Sequence, residues 1–442
     1  MGHKMNIANA LRLLALTGLV TNMLAENWPQ WRGPLFNGAT TETNLPSQWS
    51  KTENVLWSLA LPGPSPATPI IWDNTVLVSS TDPGPKALLA LAINRSDGKV
   101  LWQHQVSEGS GRDTRSSYAS SSPTTDGKIA VFFYGNGALA TFDFAGKQLW
   151  ARNLQTDYGD FAFQWTYGAS ATLHQGKLYV QILQRDVPVN GYGRTDGPIE
   201  SFILALDPAT GKTLWRQVRP SDAVAESHEA YSTPIPFTHD GRPELLIAGG
   251  DCLTGHDPVT GKELWRWGTW NPRKIGHWRL VPSPVTGGGV ILACAPKGDP
   301  IYAIKAGGVG TLGDAGIAWK SDQVREVTAD VPTPLFYLGD FFVLSDVRKA
   351  LSRVDPQTGK IKWTVRTPGD SKYEASPTGA DGKIYLMNFR AQTAVVDAAD
   401  GKILGQADMG EEGDDMTRST ISIARGEIFI RANRKLYCVG KK

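Results

Sequence analysis

Twelve side chains that could hold a polar molecule stand two to five residues before the Ser/Thr positions that open the apolar segments of a repeating sequence. They combine aromatic rings with acidic, basic and imidazole groups. Rings pack on the apolar faces of a ligand while charges fix its orientation, so the set predicts binding of a polar small molecule such as a sugar, or of a peptide. The alternative is that they are ordinary loop residues around a water-filled opening. The twelve are Tyr118, Trp165, Tyr167, His228, Glu229, Tyr231, Trp278, Arg279, Asp330, Tyr373, Glu374 and Arg418.

Acid–base chemistry is the strongest reaction that these residues suggest. His228 and Glu229, next to Arg279 and Glu374, have the groups that a general acid and base require. The segment HEAYS that begins at His228 lacks the second histidine of a zinc-protease helix, and no nucleophile-elbow motif occurs in the chain. The catalytic residues, if there are any, therefore stay unknown at this level.

A five-residue segment ending in tryptophan recurs along the chain and gives the strongest structural signal. Near-copies of GKxLW occupy 98–102, 146–150, 211–215, 261–265 and 359–363, with weaker copies at 316–319 and 401–405 and a half-copy, NVLW, at 54–57. We interpret its tryptophans as structural wedges between neighbouring sheets, because a large ring there buries much apolar area. These eight seam positions are Trp57, Trp102, Trp150, Trp215, Trp265, Trp319, Trp363 and Gly405.

The seam positions recur about every 50 residues, the length of one four-stranded propeller blade. Turns of the type Asp-Pro-x-x-Gly-Lys precede several of them, with Pro fixing one φ and Gly supplying a positive φ. The end of the chain, 419–438, has three strands without a seam, whereas NVLW is an outer strand without a blade. We therefore predict an all-β, eight-bladed β-propeller of four-stranded antiparallel blades, closed by pairing the N-terminal strand with the C-terminal blade.

The long loops of this propeller should gather on one face. Loops that join one blade to the next emerge together around the channel, and here they include 103–117, 216–229, 266–279 and 406–418. A further segment, 184–201, joins the two middle strands of blade three and should rise on the same face as a lid. The opposite face has short turns, apart from an extended corner at 305–316.

The first 25 residues predict export. Lys4 and Arg12 flank or enter an apolar stretch at 13–20, and we expect cleavage after Ala25. Met23 is a poor match to the cleavage rule, which leaves an uncleaved anchor as the alternative. The expected organisation is a signal peptide at 1–25, an N-terminal extension at 26–53 and a single propeller at 54–442, in a periplasmic or secreted monomer without a later membrane span.

Composition limits the class of partner. The chain has 45 Lys and Arg against 43 Asp and Glu, a formal charge of +2, which does not support nucleic-acid binding. The acidic run at 411–415 lacks the spacing of a calcium loop and predicts solvated charge, so no metal is expected. Cys252, Cys294 and Cys438 match no zinc spacing and are expected to be small buried residues.

The seams, the Ser/Thr-Pro pairs and two N-terminal segments, WPQWRGP at 28–34 and LPSQW at 45–49, resemble the pyrroloquinoline-quinone (PQQ)-like repeat family. That family includes quinoprotein alcohol dehydrogenases and the outer-membrane assembly propeller of the BamB type. The resemblance implies a propeller, and for the dehydrogenases it implies PQQ, a vicinal cysteine pair, a bound calcium or lanthanide and an aspartate base.

This chain departs from both branches of that family. It has no adjacent cysteines, and no lipobox cysteine follows the apolar stretch. We therefore expect a binding or scaffold module without a cofactor, whose long-loop face holds an envelope protein or a polysaccharide. The alternative is a quinoprotein-type alcohol or sugar dehydrogenase with PQQ and calcium in the channel.

Overall fold

The computed structural model describes residues 26–322 and 324–441 and consists of eight β-sheets arranged as the blades of a closed propeller. The predicted signal peptide, 1–25, lies outside the described residues. Among the described residues, helix is limited to α1 (Leu154–Tyr158) and three short 3₁₀ turns, Tyr118–Ser120, Ala225–His228 and Asp314–Gly316. No helix in the described part of the chain has the length and apolarity to cross a membrane.

The strands follow one another blade by blade, after a first strand that belongs to the last blade. The first half of the chain contains β1 (Val55–Ala60); β2 (Ile70–Trp72), β3 (Thr75–Asp82), β4 (Ala87–Asn94) and β5 (Val100–Glu108) in blade one; β6 (Thr124–Thr125), β7 (Ile129–Phe133), β8 (Ala138–Asp143) and β9 (Gln148–Asn153) in blade two; β10 (Thr172–His174), β11 (Lys177–Ile182), β12 (Phe202–Leu206) and β13 (Thr213–Val218) in blade three; and β14 (Ile235–His239), β15 (Arg242–Gly249), β16 (Cys252–His256) and β17 (Glu263–Trp267) in blade four.

The second half repeats this order with one irregularity. It contains β18 (Val285–Gly287), β19 (Val290–Cys294) and β20 (Ile301–Lys305) of blade five, β21 (Gly310–Leu312), then β22 (Ile317–Lys320) of blade five; β23 (Leu335–Tyr337), β24 (Asp340–Ser345), β25 (Ala350–Val354) and β26 (Ile361–Arg366) in blade six; β27 (Thr378–Ala380), β28 (Lys383–Met387), β29 (Gln392–Asp397) and β30 (Ile403–Asp408) in blade seven; and β31 (Ser422–Ala424), β32 (Glu427–Ala432) and β33 (Lys435–Val439) in blade eight.

The two ends of the chain close the ring. β1 pairs antiparallel with β33, with Trp57 opposite Cys438 and Ala60 opposite Lys435. Blade eight thus takes its outer strand from the N-terminal side, which confirms the predicted closure and covers the edge of β33.

Blade four has five strands rather than the expected four. The extended corner at 305–316 contains β21, which pairs in parallel with β17, the outer strand of blade four, with Trp265 opposite Gly310. The corner therefore covers a strand edge that the other outer strands leave open. The sequence predicts only an extended corner there.

Where the next blade has a Gly-Lys turn, the seam tryptophan packs over the glycine of that turn. Gly98 has φ +74°, and a Cβ there would lie 2.7 Å from the ring of Trp57, whose indole donates to the carbonyl of Arg95 at 2.6 Å. A side chain at the glycine would strain the backbone and displace the ring. The same covering joins Trp102 to Gly146, Trp150 to Gly211, Trp215 to Gly261, Trp319 to Gly359 and Trp363 to Gly401.

At the eighth seam, the flank segment, residues 45–49, takes the place of the missing tryptophan. A Cβ on Gly405 would lie 2.0 Å from the carbonyl oxygen of Ser47, so glycine is required for this close approach. Trp49 is buried and stacks on Tyr385 with ring centroids 6.3 Å apart. The N-terminal extension thus supplies the aromatic ring that the repeat lacks there.

A ring of serine and threonine hydroxyls joins the blades around the channel. At most junctions, the hydroxyl before an inner strand accepts a hydrogen bond from the equivalent backbone N–H of the preceding blade, as Thr333 does from Ser283 at 3.0 Å. Within the described residues, seven of the eight junctions have this bond, at 2.8–3.2 Å. The members of this hydroxyl ring are Thr68, Ser122, Ser170, Thr233, Ser283, Thr333, Ser376 and Thr420.

Candidate functional site

One end of the channel is closed by the crossing segment, residues 28–40. Trp28 forms an antiparallel bridge with Ile71 of blade one, and the carbonyl of Pro29 accepts from a backbone N–H of blade two. Farther along, the carbonyl of Asn37 accepts from the backbone N–H of Phe336 in blade six. Blades two and six are four apart in a ring of eight, so the segment runs from one side of the channel to the other.

Arg32 fixes the crossing segment to the blades. Its guanidinium is fully buried and donates to the carbonyls of Pro334 at 2.7 Å, Asn37 at 3.1 Å and Pro377 at 3.3 Å. Burial lowers its pKa to about 9, which still leaves the group charged at neutral pH. The adjacent Trp31 lines the cavity above, so the WPQWRGP motif forms the floor of the channel.

The floor converts the channel into a cup that is reached from the long-loop face. The cup has a volume of about 360 Å³, within the range of small-molecule sites. Seven members of the hydroxyl ring line it, together with two tryptophans and a tyrosine, five cationic side chains and three carboxylates. The charged members are Asp113, Arg115, Arg279, Lys297, Asp330, Lys372, Glu374 and Arg418.

Half of the residues predicted from the sequence line this cup. They come from six different loops, which the closed ring of blades brings together. These six residues are Trp165, Tyr231, Arg279, Asp330, Glu374 and Arg418. Their role in binding stays a prediction.

The other six predicted residues are not among those that line the cup. Neighbouring residues of an extended chain point to opposite sides. Thus Glu374 lines the cup while Tyr373 is buried and donates its hydroxyl to the carbonyl of Pro368, and Arg279 lines the cup while Trp278 is buried. The six are Tyr118, Tyr167, His228, Glu229, Trp278 and Tyr373.

Glu229 is the centre of a buried cluster behind the cup wall. Its carboxylate, with no exposed side-chain surface, accepts from Arg185 at 2.6 Å, from the Tyr231 hydroxyl at 2.6 Å and from the backbone N–H of Gln164 at 3.1 Å. Burial raises the pKa of Glu229 in spite of these donors, and burial lowers that of His228, whose ring lies 3.6 Å from Asp186. The cluster ties the start of the blade-three insertion, residues 184–201, to a cup residue, Tyr231.

A second charged group forms the wall on the opposite side. Glu374 accepts from Arg418 at 2.6 Å and from Lys372 at 2.7 Å, and Lys372 also lies 3.2 Å from the buried Asp346. Burial alone would raise the pKa of Glu374, but the two cations outweigh it and the pKa is lowered. Glu374 is therefore a paired carboxylate at neutral pH rather than a free proton donor.

Sequence reasoning missed several residues of the cup. Trp31 belongs to the extension, Lys297 lies between the two middle strands of blade five, and Lys372 pairs with Glu374 and Asp346. The Ser/Thr-Pro pairs predict only where strands begin. Arg115 and Asp113 belong to the predicted long loop 103–117. The repeated position of the Ser/Thr residues was the one signal that could have shown a ring.

The blade-three insertion lies where the sequence placed it, between β11 and β12, the two middle strands. The guanidinium of Arg112, from the loop 103–117, lies 3.8 Å from the ring centroid of Tyr192 in the insertion and donates to the carbonyls of Phe161 and Phe163. Two loops on the long-loop face thus hold each other. A lid function stays a prediction.

The comparisons with known proteins agree with this architecture. The profile of the PQQ-like repeat family described as outer membrane protein assembly factor BamB matches residues 39–181, 199–311 and 305–440. The chain belongs to this family. No curated protein matches the sequence of this chain significantly.

Solved structures with the same fold include both branches of the resemblance. BamB from Moraxella catarrhalis has a TM-score of 0.60 and 13% identity, covering 88% of this chain and 99% of its own. Quinohemoprotein alcohol dehydrogenase from Comamonas testosteroni has a TM-score of 0.65 and 13% identity, with 94% and 81% covered. A europium-containing methanol dehydrogenase has a TM-score of 0.65 and 11% identity, with 93% and 90% covered. At these identities the likeness shows the fold alone.

The cup residues do not fit a quinone cofactor held by a metal ion. Within residues 26–322 and 324–441, no group of three or more His, Cys, Asp or Glu side chains has the arrangement of a metal site. Asp113 already accepts three backbone N–H groups, and Glu374 bonds to two cations. The three cysteines are buried and separate.

Proposed function

We propose that this family member is an exported binding module that holds part of a polar partner in the cup on its long-loop face. The closed floor is the observation that carries the proposal. Because the crossing segment blocks one end, the channel is a pocket with a single approach rather than a passage, and its lining is polar and charged.

The partner that we propose is an envelope protein or a polysaccharide. The family profile bears the name of an outer-membrane assembly factor, and a BamB structure shares the fold. The name of the family profile supports a module that works by contact, whereas the fold is shared with dehydrogenases and is compatible with either role. The carboxylates of the cup are held by cations or backbone N–H groups, which also favours a binding role over proton transfer.

Capture of envelope components by the purified full-length protein tests this function. We expect saturable binding that is lost in Trp165→Ala, because this ring lines the cup, and retained in Val259→Ala, whose side chain is exposed on a turn of the opposite face. Equal binding by both variants would place the contact elsewhere and contradict the proposal.

Titration with PQQ and calcium tests the alternative dehydrogenase. Tryptophan fluorescence reports binding, and dye reduction with simple alcohols and aldoses reports turnover. Saturable binding together with turnover would overturn the binding-module proposal. We expect neither.

A further inference from the structure

Arg279 has the features of a ligand-binding arginine in the cup. Its side chain is 14% exposed and, within the described part of the chain, its guanidinium forms no hydrogen bond. The nearest carboxylate oxygens, of Glu226 at 3.7 Å and Asp330 at 3.8 Å, are beyond hydrogen-bonding distance. Nη1 is buried without a partner. A buried donor of this kind costs free energy unless a ligand accepts from it.

The two carboxylates near Arg279 are engaged with other donors. Oε1 of Glu226 accepts from the indole N–H of Trp165 at 2.9 Å. Oδ1 of Asp330 accepts from the backbone N–H of Lys297 at 2.9 Å. The two carboxylates orient the guanidinium by charge and leave its N–H groups available. A planar fork of N–H groups matches the geometry of a carboxylate or a phosphate.

The rest of the cup also offers donors. Within the described residues, seven of the eight ring hydroxyls accept from a backbone N–H, so their own hydrogens remain for a further partner. Two more cations, Arg115 and Lys297, line the cup and form no side-chain ion pair within residues 26–322 and 324–441. The cup therefore suits a ligand rich in acceptors with at least one negative charge.

The same features favour a sugar acid over a peptide. Peptides are commonly recognised through open strand edges or apolar grooves, whereas the backbone N–H groups at this level are bonded to the hydroxyl ring. Trp31 and Trp165 offer flat apolar surfaces for the face of a sugar ring. We infer that the cup binds a uronic acid unit, whose carboxylate pairs with Arg279 and whose hydroxyls bond to the ring. This inference rests on the proposed function, since it names the ligand class of the same cup.

Calorimetric titration with matched acidic and neutral sugars tests the inference. The probes are mono- and disaccharides of galacturonate, glucuronate and mannuronate, each compared with the corresponding neutral sugar. We expect at least one acid to bind at least tenfold more tightly than its neutral counterpart. Arg279→Gln should weaken that binding by about 10- to 100-fold, which is the loss of one charge-assisted bidentate contact.

Two further variants separate charge recognition from damage to the fold. Arg279→Lys keeps the charge without the fork and should retain part of the affinity. Arg366→Gln removes an exposed arginine on an outer strand and should bind as the unmodified protein does. Circular dichroism and the thermal midpoint check that each variant is folded.

The inference would be overturned by binding of no uronic acid, by equal binding of acidic and neutral sugars, or by unchanged acid binding in folded Arg279→Gln. Preferential binding of an acidic peptide would also overturn it and yet leave the binding module intact. Failure of the module itself is seen separately, in the capture experiment with Trp165→Ala.

Discussion

The hydroxyl ring makes a stability prediction that can be worked out at one junction. Thr333 and Ser283 are each 2% exposed, and the Thr333 hydroxyl accepts the Ser283 backbone N–H at 3.0 Å. Thr333→Val keeps the shape and removes only this acceptor, because the backbone N–H of Thr333 still donates to Ser376. A buried N–H left without a partner costs about 1–3 kcal/mol, and the added buried methyl offsets somewhat less than 1 kcal/mol.

The expected net loss is therefore about 1–2 kcal/mol. Unfolding entropy of about 2.1 cal/mol/K per residue converts this to a fall of roughly 1–2 °C in the thermal midpoint of a chain of this size. Urea unfolding measures the same loss, and hydrogen exchange should quicken at the Ser283 amide. Thr238→Val, on the exposed side of β14, is the matched control. Equal stability of the two variants, with unchanged exchange at Ser283, would refute the reasoning.

Three other perturbations follow from single contacts. Gly405→Ala should push the carbonyl of Ser47 away, since its Cβ would lie 2.0 Å from that oxygen, and limited proteolysis should then release the flank segment faster. Glu229→Gln should weaken the contact with Arg185, so that hydrogen exchange across the blade-three insertion becomes faster. Burial raises the pKa of Asp251 to about 6. The protonated carboxyl therefore contributes fully to the stability of the fold below about pH 4, and this contribution declines as the pH rises to 6. In Asp251→Asn, the thermal midpoint should fall less over this pH range.

Each of these predictions has a control in the same chain. Gly313→Ala places its Cβ in open space and should leave the flank segment protected. Glu412→Gln and Asp370→Asn change exposed carboxylates and should alter neither exchange nor pH dependence. A variant that behaves like its control would contradict the role given to that contact.

Most of the fold could be predicted from the sequence because its determinants are local and repeated. The Gly-Lys turn, such as the one before Trp215, is a signal of a few residues whose repetition gives the blade count. The lone strand around Trp57 is a second short signal, and it gives the closure. The fifth strand of blade four was missed because β21 is three residues long and depends on its pairing with β17.

The candidate site was only half predictable. The position of a residue before an inner strand predicts the loop in which it lies. It does not predict whether the side chain faces the cup or packs behind the cup wall. Tyr373 and Glu374 are adjacent in sequence and lie on different sides of the cup wall. That choice depends on packing between blades, which a single sequence does not display.

The sequence by itself determined that this chain is an eight-bladed propeller with its long loops on one face, because turns, alternation and the Trp-ended seam act over a few residues. Only the tertiary structure decided that WPQWRGP forms a floor, that the flank segment fills the seam at Gly405, and that Arg279 has unpaired donors in a cup. These features join residues that are tens to hundreds of positions apart. Their contacts exist only after the ring has closed.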